Sequence, residues 1–188
     1  MRNLFTELFI KAWLFLEKFI EIIKIPSIKP NNKTLFALKL LKKIYASSEK
    51  QEILLWVTGS WAITGRNGNF FKNINDIDFT MRKKEDEKRL SDLLKKLGLK
   101  RDKDSPMGAN CFFDKKTGVK IDFGSTTYPK TIYYQIPLRK NEKVSINNFS
   151  FRVIPIRSHL KIYKDILFNK GRNIKGDLIK IKILSHFC

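Results

Sequence analysis

The sequence predicts an α+β protein, a mixed β-sheet flanked by helices, on three observations. Short apolar runs bounded by Gly, Pro or Asn turns recur through the middle of the chain, as strands do. Stretches of helical periodicity precede, interrupt and follow them. No internal repeat and no long linker separates the two kinds of segment, so they share one layered core. With 188 residues, 43% of them hydrophobic, the chain is long enough for one ordinary domain.

Leu4 to Ile25 is expected to be an amphipathic helix. At about 100° per residue, Glu7, Lys11, Glu17, Lys18, Glu21 and Lys24 gather on one face, with Ile10 and Leu14 intruding. The broad opposite face carries Leu4, Phe5, Leu8, Phe9, Ala12, Phe15, Leu16, Phe19 and Ile23. Three roles are open to it: packing on the domain's own core, contact with a second copy or partner, or binding at a membrane surface. The charges interrupt the run too often for a transmembrane segment, and no small-residue cleavage site marks a signal peptide. Pro26, Pro30, Asn31 and Asn32 break the helix. A second helix is predicted from about Thr34, with Leu35, Leu38, Leu41 and Tyr45 along one side. Residues 1–50 are thus read as N-terminal helices packing on the core, and residues 51–188 as the sheet-bearing domain.

Glu52 to Val57 reads as a buried strand stopped by Thr58-Gly59, and Gly65 to Asn69 as a flexible loop. Asp76 to Met81 is the next strand. Lys84 to Leu97 is a helix with Glu85, Asp86 and Glu87 in its first turn, where the helix dipole favours them, and Gly98 closes it. Asn110 to Phe113 and Val119 to Phe123 form a hairpin through Lys115 to Gly118. A second hairpin joins Val144 to Ile146 and Phe149 to Ile154 through Asn147-Asn148, residues that tolerate positive φ. Two helices follow Pro155, about Ser158 to Phe168 and Ile174 to His186.

Lys and Arg number 38 against 18 Asp and Glu, a formal charge of +20 and a pI near 10.0. Such a field attracts polyanions and phosphate-rich ligands. A Lys-Ile-Asn bias along the whole chain offers codon composition as the competing explanation. Two cysteines, Cys111 and Cys188, and two histidines, His159 and His186, exclude a disulfide scaffold and a His-rich metal cluster. A reduced, cytoplasmic protein is the expectation.

The chemistry is carried by Val57-Thr58-Gly59-Ser60-Trp61-Ala62-Ile63 and by Asn75-Asp76-Ile77-Asp78-Phe79. A Gly-Ser turn leaves an apolar strand, and two carboxylates then occupy positions i and i+2 of another. Asp76 and Asp78 therefore face the same side. Adjacent like charges are costly unless a cation shares the space, and a divalent metal is the usual answer. Asp122, in the strand-like run Val119-Lys120-Ile121-Asp122-Phe123, is the candidate third carboxylate, with Asp114 as its competitor.

This pattern of strand, Gly-Ser turn and Asp-Ile-Asp strand resembles the DNA polymerase β-like nucleotidyltransferase superfamily. It is most similar to the lincosamide and aminoglycoside adenylyltransferase-like branch, and Ile154-Pro155-Ile156 through Leu184 resembles that branch's closing helices. The resemblance implies a nucleotidyltransferase-like sheet and transfer of a nucleoside monophosphate, AMP from ATP, to a hydroxyl with release of pyrophosphate. Asp76, Asp78 and Asp122 would be catalytic and would bind two Mg²⁺ ions. Gly59 and Ser60 would hold the nucleoside triphosphate's phosphates at a helix N-terminus. Apart from the resemblance, Lys161, Lys164, Lys170, Arg172 and Lys175 crowd the final segment, either as a solvated helix face or with Lys164 or Lys175 neutralising nucleotide phosphates. Arg82, Lys83 and Lys84, directly after the Asp-Ile-Asp strand, are further candidates to attract the triphosphate, although nearness in sequence is not nearness in space. The family pattern is not complete: Lys72 and Ile74 occupy positions where the branch commonly has Arg and His. An adjacent Lys-Asp pair of the last helix is here split into Lys175-Gly176-Asp177.

The acceptor is left open by the residues. A +20 chain repels polycationic aminoglycosides unless its site is locally acidic, which turns the expectation toward an anionic acceptor such as RNA. The rival reading is a catalytically silent module of the same fold that binds RNA or a protein partner. A homodimer or partner contact through the N-terminal helix is compatible with either.

Overall fold

The computed structural model describes residues 18, 20–102, 110–127, 135–170 and 174–188. Among them the main sheet contains β1 (Trp56–Val57), β2 (Asp76–Met81), β3 (Lys100–Asp102), β4 (Asn110–Phe113) and β5 (Lys120–Ser125), in the order β1-β2-β5-β4-β3. The central pair β2–β5 is parallel and the other neighbours are antiparallel. β6 (Lys143–Ile146) and β7 (Phe149–Arg152) form a separate hairpin. The helices are α1 (Asn32–Lys50), α2 (Gly59–Asn67), α3 (Glu85–Lys96), α4 (Ile156–Lys170) and α5 (Ile174–Ser185). The mixed sheet and its flanking helices are the α+β architecture that the sequence predicts.

The central parallel pair turns one face into the core, and its other face carries Asp76, Asp78 and Asp122. Ile77, Phe79, Met81, Ile121 and Phe123 are fully buried. Ala37, Leu38, Leu41 and Ile44 of α1 join the same core, together with Trp61 of α2 and Leu90 and Leu94 of α3. The start of α1 is tied to the loop before β2. Asn31 caps the helix by accepting from Thr34 N–H, while the Asn73 side chain accepts from Asn31 N–H at 3.0 Å. Thr34 Oγ1 in turn accepts from Ile74 N–H at 3.0 Å. Capping and register of β2 are thus set by one small polar network.

A second apolar cluster lies between the helices, with Ile63 of α2, Tyr163 and Ile166 of α4, and Leu178, Ile181 and Leu184 of α5. Ile20 is buried in it. Lys182 Nζ donates to the carbonyls of Glu21 and Ile23 at 2.7 and 2.6 Å, a cation placed where a helix C-terminus is negative. Residues 20–22 are helical and the chain is irregular from residue 23. The rest of the amphipathic segment, residues 1–17 and 19, lies outside the described residues. No described helix is long and apolar enough to cross a membrane.

Three elements differ from expectation for identifiable reasons. The strand expected over Glu52 to Val57 shrinks to Trp56–Val57. Glu52 has φ 56° and Ile53 N–H bonds back to Ser48 O at 2.9 Å, so these residues close α1. The loop expected from Gly65 is helix through Asn67, and Gly68 (φ 74°) ends it with its N–H on Thr64 O. Gly65 serves close packing: a Cβ there would stand 2.4 Å from Val144 Cγ2. β3 escaped notice because Lys-Arg-Asp has no apolar alternation, as suits a charged edge strand. The Asn147-Asn148 turn has φ 47° and 59°, the primed turn that the sequence predicts.

Candidate active site

The backbone brings the carboxylates to one end of the central strand pair. Asp78 stands opposite Asp122 in the parallel β2–β5 register, where neighbouring strands lie about 4.8 Å apart. Asp76 shares their face two residues earlier. The row continues across β5 and β4 to Cys111, opposite Asp122, and to Asp102 on β3, opposite Cys111. Lys120 Nζ donates to Asp102 at 3.3 Å. Asp114 lies elsewhere: its Oδ2 accepts from Thr117 N–H at 2.8 Å and Thr117 Oγ1 at 2.7 Å, which stabilises the β4–β5 turn.

The Gly-Ser turn closes the other side. Thr58 N–H donates to Asp78 O at 2.9 Å. Gly59 has φ +58°, and a Cβ on it would lie 1.9 Å from Asp78 Oδ2. Only glycine fits, both for the dihedral and for the carboxylate pressed against it. Ser60 is buried in the first turn of α2. Trp61 packs fully buried behind the turn, edge-on to Phe70, and its Nε1–H donates to Asp76 O at 2.8 Å.

Burial pushes the Asp78 carboxyl up to about 8, and Asp76 and Asp122 push it the same way, opposed by Lys180 and Lys72. Asp122 is raised chiefly by burial, with Asp76 and Asp102 adding to the rise and a Cys111 hydrogen bond opposing it. Burial and Asp122 together push the Cys111 thiol up to about 12, so it is a neutral hydrogen-bonding neighbour rather than a thiolate. Lys72, in the loop before β2, is lowered by burial and by Lys180, while Asp76, Asp78 and Asp177 pull it back up.

These electrostatic neighbours include groups that the sequence reading did not select for the site. Lys180 of α5 donates to Asp177 Oδ1 at 2.8 Å, with side chains 13% and 4% exposed respectively, and its Nζ lies 4.5 Å from the Tyr163 ring centre. Of the predicted phosphate lysines, Lys175 is exposed in the first turn of α5 and Lys164 is half-buried on α4. Arg82 donates to Leu138 O and stacks 5.5 Å from the Trp56 ring. The signal for Lys180 was its i,i+3 spacing from Asp177, and for Lys72 its position just before Asp76.

Among the described residues, the buried side-chain polar atoms without a partner are Thr64 Oγ1, Arg66 Nε, both His159 ring nitrogens and Asp177 Oδ2, all on α2, α4 and α5. The donor set at Asp76, Asp78 and Asp122 is all oxygen, the preference of Mg²⁺. The crowding around Asp78 is the electrostatic condition that a cation relieves, so the residues fit such an ion. No ready-made cage of three or more His, Cys, Asp or Glu groups is assembled among the described residues.

Residues 40–129, which span α1 to β5, match the profile of the aminoglycoside-2''-adenylyltransferase family. Solved structures agree on the architecture. The antibiotic-resistance factor ANT(2'')-Ia is 16% identical, with a TM-score of 0.64 over 81% of this chain and 84% of that one. The lincosamide antibiotic adenylyltransferase LnuA is also 16% identical, with a TM-score of 0.55 over 87% of this chain and 100% of its own.

The chain has a nucleotidyltransferase fold.

An antigenic nucleotidyltransferase-like protein from Paracoccidioides brasiliensis shares this fold at 14% identity, with a TM-score of 0.55 over 80% of this chain and 75% of that one. No curated protein matches the sequence. The nucleotidyltransferase resemblance drawn from the Gly-Ser turn and the Asp-Ile-Asp strand therefore agrees with the profile and with the fold.

Proposed function

We propose that this chain is a metal-dependent nucleotidyltransferase that transfers AMP from ATP to a hydroxyl of its acceptor and releases pyrophosphate. The observation that carries the reading is the convergence of Asp78 and Asp122 across β2–β5, with Asp76 on the same face and Gly59 pressed against Asp78. A fold that only binds a partner gains nothing from crowding buried carboxylates, whose mutual repulsion opposes folding. Asp76, Asp78 and Asp122 would hold Mg²⁺, which characteristically binds one or two carboxylates and completes its shell with substrate phosphates. When bound, the metal would supply charge neutralisation at the attacking and leaving oxygens.

The remaining roles belong to the chain's own groups. The N–H groups of the Gly59-Ser60 turn offer hydrogen bonds to phosphate oxygens at the N-terminus of α2. Trp61 fixes the start of β2 through the Asp76 carbonyl. Asp122, raised by burial and by Asp76 and Asp102, suits acceptance of a proton from the acceptor hydroxyl. Lys164 and Lys175 are the outer candidates for phosphate contact. The setting in which this takes place is proposed as cytoplasmic, in keeping with free thiols at Cys111 and Cys188.

ANT(2'')-Ia has been solved in complex with adenylyl-2''-tobramycin and LnuA with lincomycin bound, so aminoglycosides and lincosamides head the acceptor panel, with RNA added because of the +20 charge. The test incubates the purified chain and Mg²⁺ with labelled ATP, CTP, GTP or UTP and each acceptor. Transfer of label from ATP with pyrophosphate release, lost in Asp78→Asn, supports the reading. Transfer that survives Asp78→Asn and Asp76→Asn overturns it.

A further inference from the structure

We infer that the acceptor is the hydroxyl-bearing end of a single-stranded nucleic acid, its base stacked on the Phe113 ring and its phosphates held by lysines around the β4–β5 turn. The inference rests on the nucleotidyltransferase reading above and names the acceptor class of that site.

The sheet register fixes which side chains share a face with the carboxylates. Asp78, Asp122, Cys111 and Asp102 form one row across β2, β5, β4 and β3. The adjoining row is Asp76, Lys120, Phe113 and Lys100. The bond from Lys120 Nζ to Asp102 reaches from β5 to β3 and puts both side chains on one side of the sheet. The opposite face is taken by Ile77, Ile121 and Phe112, which pack in the core with α1 and α3.

Phe113 is the odd member of its row. It is a half-buried ring between two exposed lysines, and it belongs to none of the apolar clusters of the described residues. Its diagonal neighbour on β5 is Asp122, and such pairs stand about 7–8 Å apart. A terminal nucleotide bridges that span, with its base on the ring and a ribose hydroxyl at the acid. In the transfer, that hydroxyl oxygen bonds to the α-phosphorus of ATP, the bond to the pyrophosphate oxygen breaks, and the hydroxyl proton passes to Asp122. An aromatic face accepts any base, while cations beside it track the backbone.

The turn next to Phe113 supplies those cations. Lys115 and Lys116 are exposed. Lys115 meets Lys100 of β3, a like-charge contact that lowers Lys115. Lys33 of α1 brings its Nζ within 3.6 Å of where a Gly118 Cβ would stand. Asp102 and Asp114, which flank the patch, are already engaged, one by Lys120 and the other by Thr117. A phosphate between Lys100 and Lys115 turns their repulsion into attraction for both. A polycationic acceptor would meet the same lysines as a barrier.

Fluorescence anisotropy of the full chain with labelled oligouridylate or oligodeoxythymidylate, read across salt concentration, tests the surface. Transfer of label from ATP with Mg²⁺ onto the same oligonucleotides tests the acceptor role, and the better of the two identifies RNA or DNA. Phe113→Ala is expected to weaken binding by about tenfold, the loss of one base stack, and to raise the oligonucleotide KM without changing that for ATP. Phe113→Trp should retain binding. Lys100→Ala and Lys115→Ala should each lower the slope of log affinity against log salt by about one. Lys43→Ala, exposed on α1 across the sheet, should leave that slope unchanged. If wild type binds neither oligonucleotide, or if Phe113→Ala and Lys100→Ala bind as tightly as wild type, the platform is overturned. AMP transfer to a small acceptor then leaves the nucleotidyltransferase reading standing. Binding without transfer of label to either oligonucleotide overturns the acceptor assignment, and absence of transfer to every acceptor overturns both.

Discussion

Trp61 Nε1 donates a 2.8 Å hydrogen bond to the main-chain carbonyl of Asp76, so the helix that follows the Gly-Ser turn holds the first residue of the carboxylate strand. Trp61→Phe preserves most of the buried ring and removes this donor. It should cost about 1–3 kcal/mol, the penalty for a buried group left unpaired. Transfer activity should fall by more than the folded fraction does, because Asp76 loses its anchor. Urea unfolding alongside kcat separates the two effects.

Gly59 cannot carry a side chain without moving Asp78. Gly59→Ala adds a positive-φ strain of about 1–2 kcal/mol and a Cβ 1.9 Å from Asp78 Oδ2. The expected outcome is a soluble protein whose turnover drops by about a hundredfold or more, since the misplaced group is a proposed metal ligand. Steady-state kinetics on the purified variant, with circular dichroism to confirm the fold, checks it.

Asp78 is destabilising in the metal-free protein, because burial and two carboxylate neighbours oppose its charge. Its folded-state value lies above the ordinary 3.8, so the native state holds the proton longer than the unfolded chain and stability falls as pH rises between the two values. Asp78→Asn should therefore melt higher than wild type in EDTA at pH 7 and show a flatter pH profile. Mg²⁺ should raise the wild-type midpoint and leave that of Asp78→Asn nearly unmoved. Thermal melts with EDTA and with Mg²⁺ give both readings.

His159 supplies a pH dependence of opposite sign. Burial, with Arg66 and Lys180 adding to it, lowers the ring from 6.5 to about 3, and neither nitrogen has a partner. Between these values the unfolded chain binds the proton and the native state does not, so stability is lost as pH falls below the unfolded value. The slope is about 1.4 kcal/mol per pH unit. His159→Phe keeps a ring against Tyr163 and should flatten the acid limb between about pH 6 and pH 4, measured by denaturant midpoints across that range.

Much of this architecture was legible because it follows from period and turn chemistry. Asp76 and Asp78 sit on a strand whose apolar positions alternate with them, and Asn147-Asn148 announced its own turn. Gly65 was misread because composition reports freedom and not proximity: nothing in the chain says that Val144 will press on it from a distant hairpin. Gly65→Ala tests the difference. A flexible loop would tolerate it, whereas overpacking against Val144 should cost about 1–3 kcal/mol. Lys72 and Lys180 were hidden for the same reason. One precedes β2 and the other lies on the last helix, and only tertiary packing puts them beside one acid.

The parallel pairing of β2 with β5 also has a kinetic side. Thr80 Oγ1 donates to Gly124 O across 44 positions of sequence, and α3, β3 and β4 lie in between. Asp78 is synthesised before Asp122, so the early nascent chain has no Asp122 to oppose it. The repulsive cluster comes together only when β5 docks, a long-range closure of the kind that slows folding. On the metal-dependent reading proposed above, magnesium present at that moment would relieve the repulsion as β5 docks.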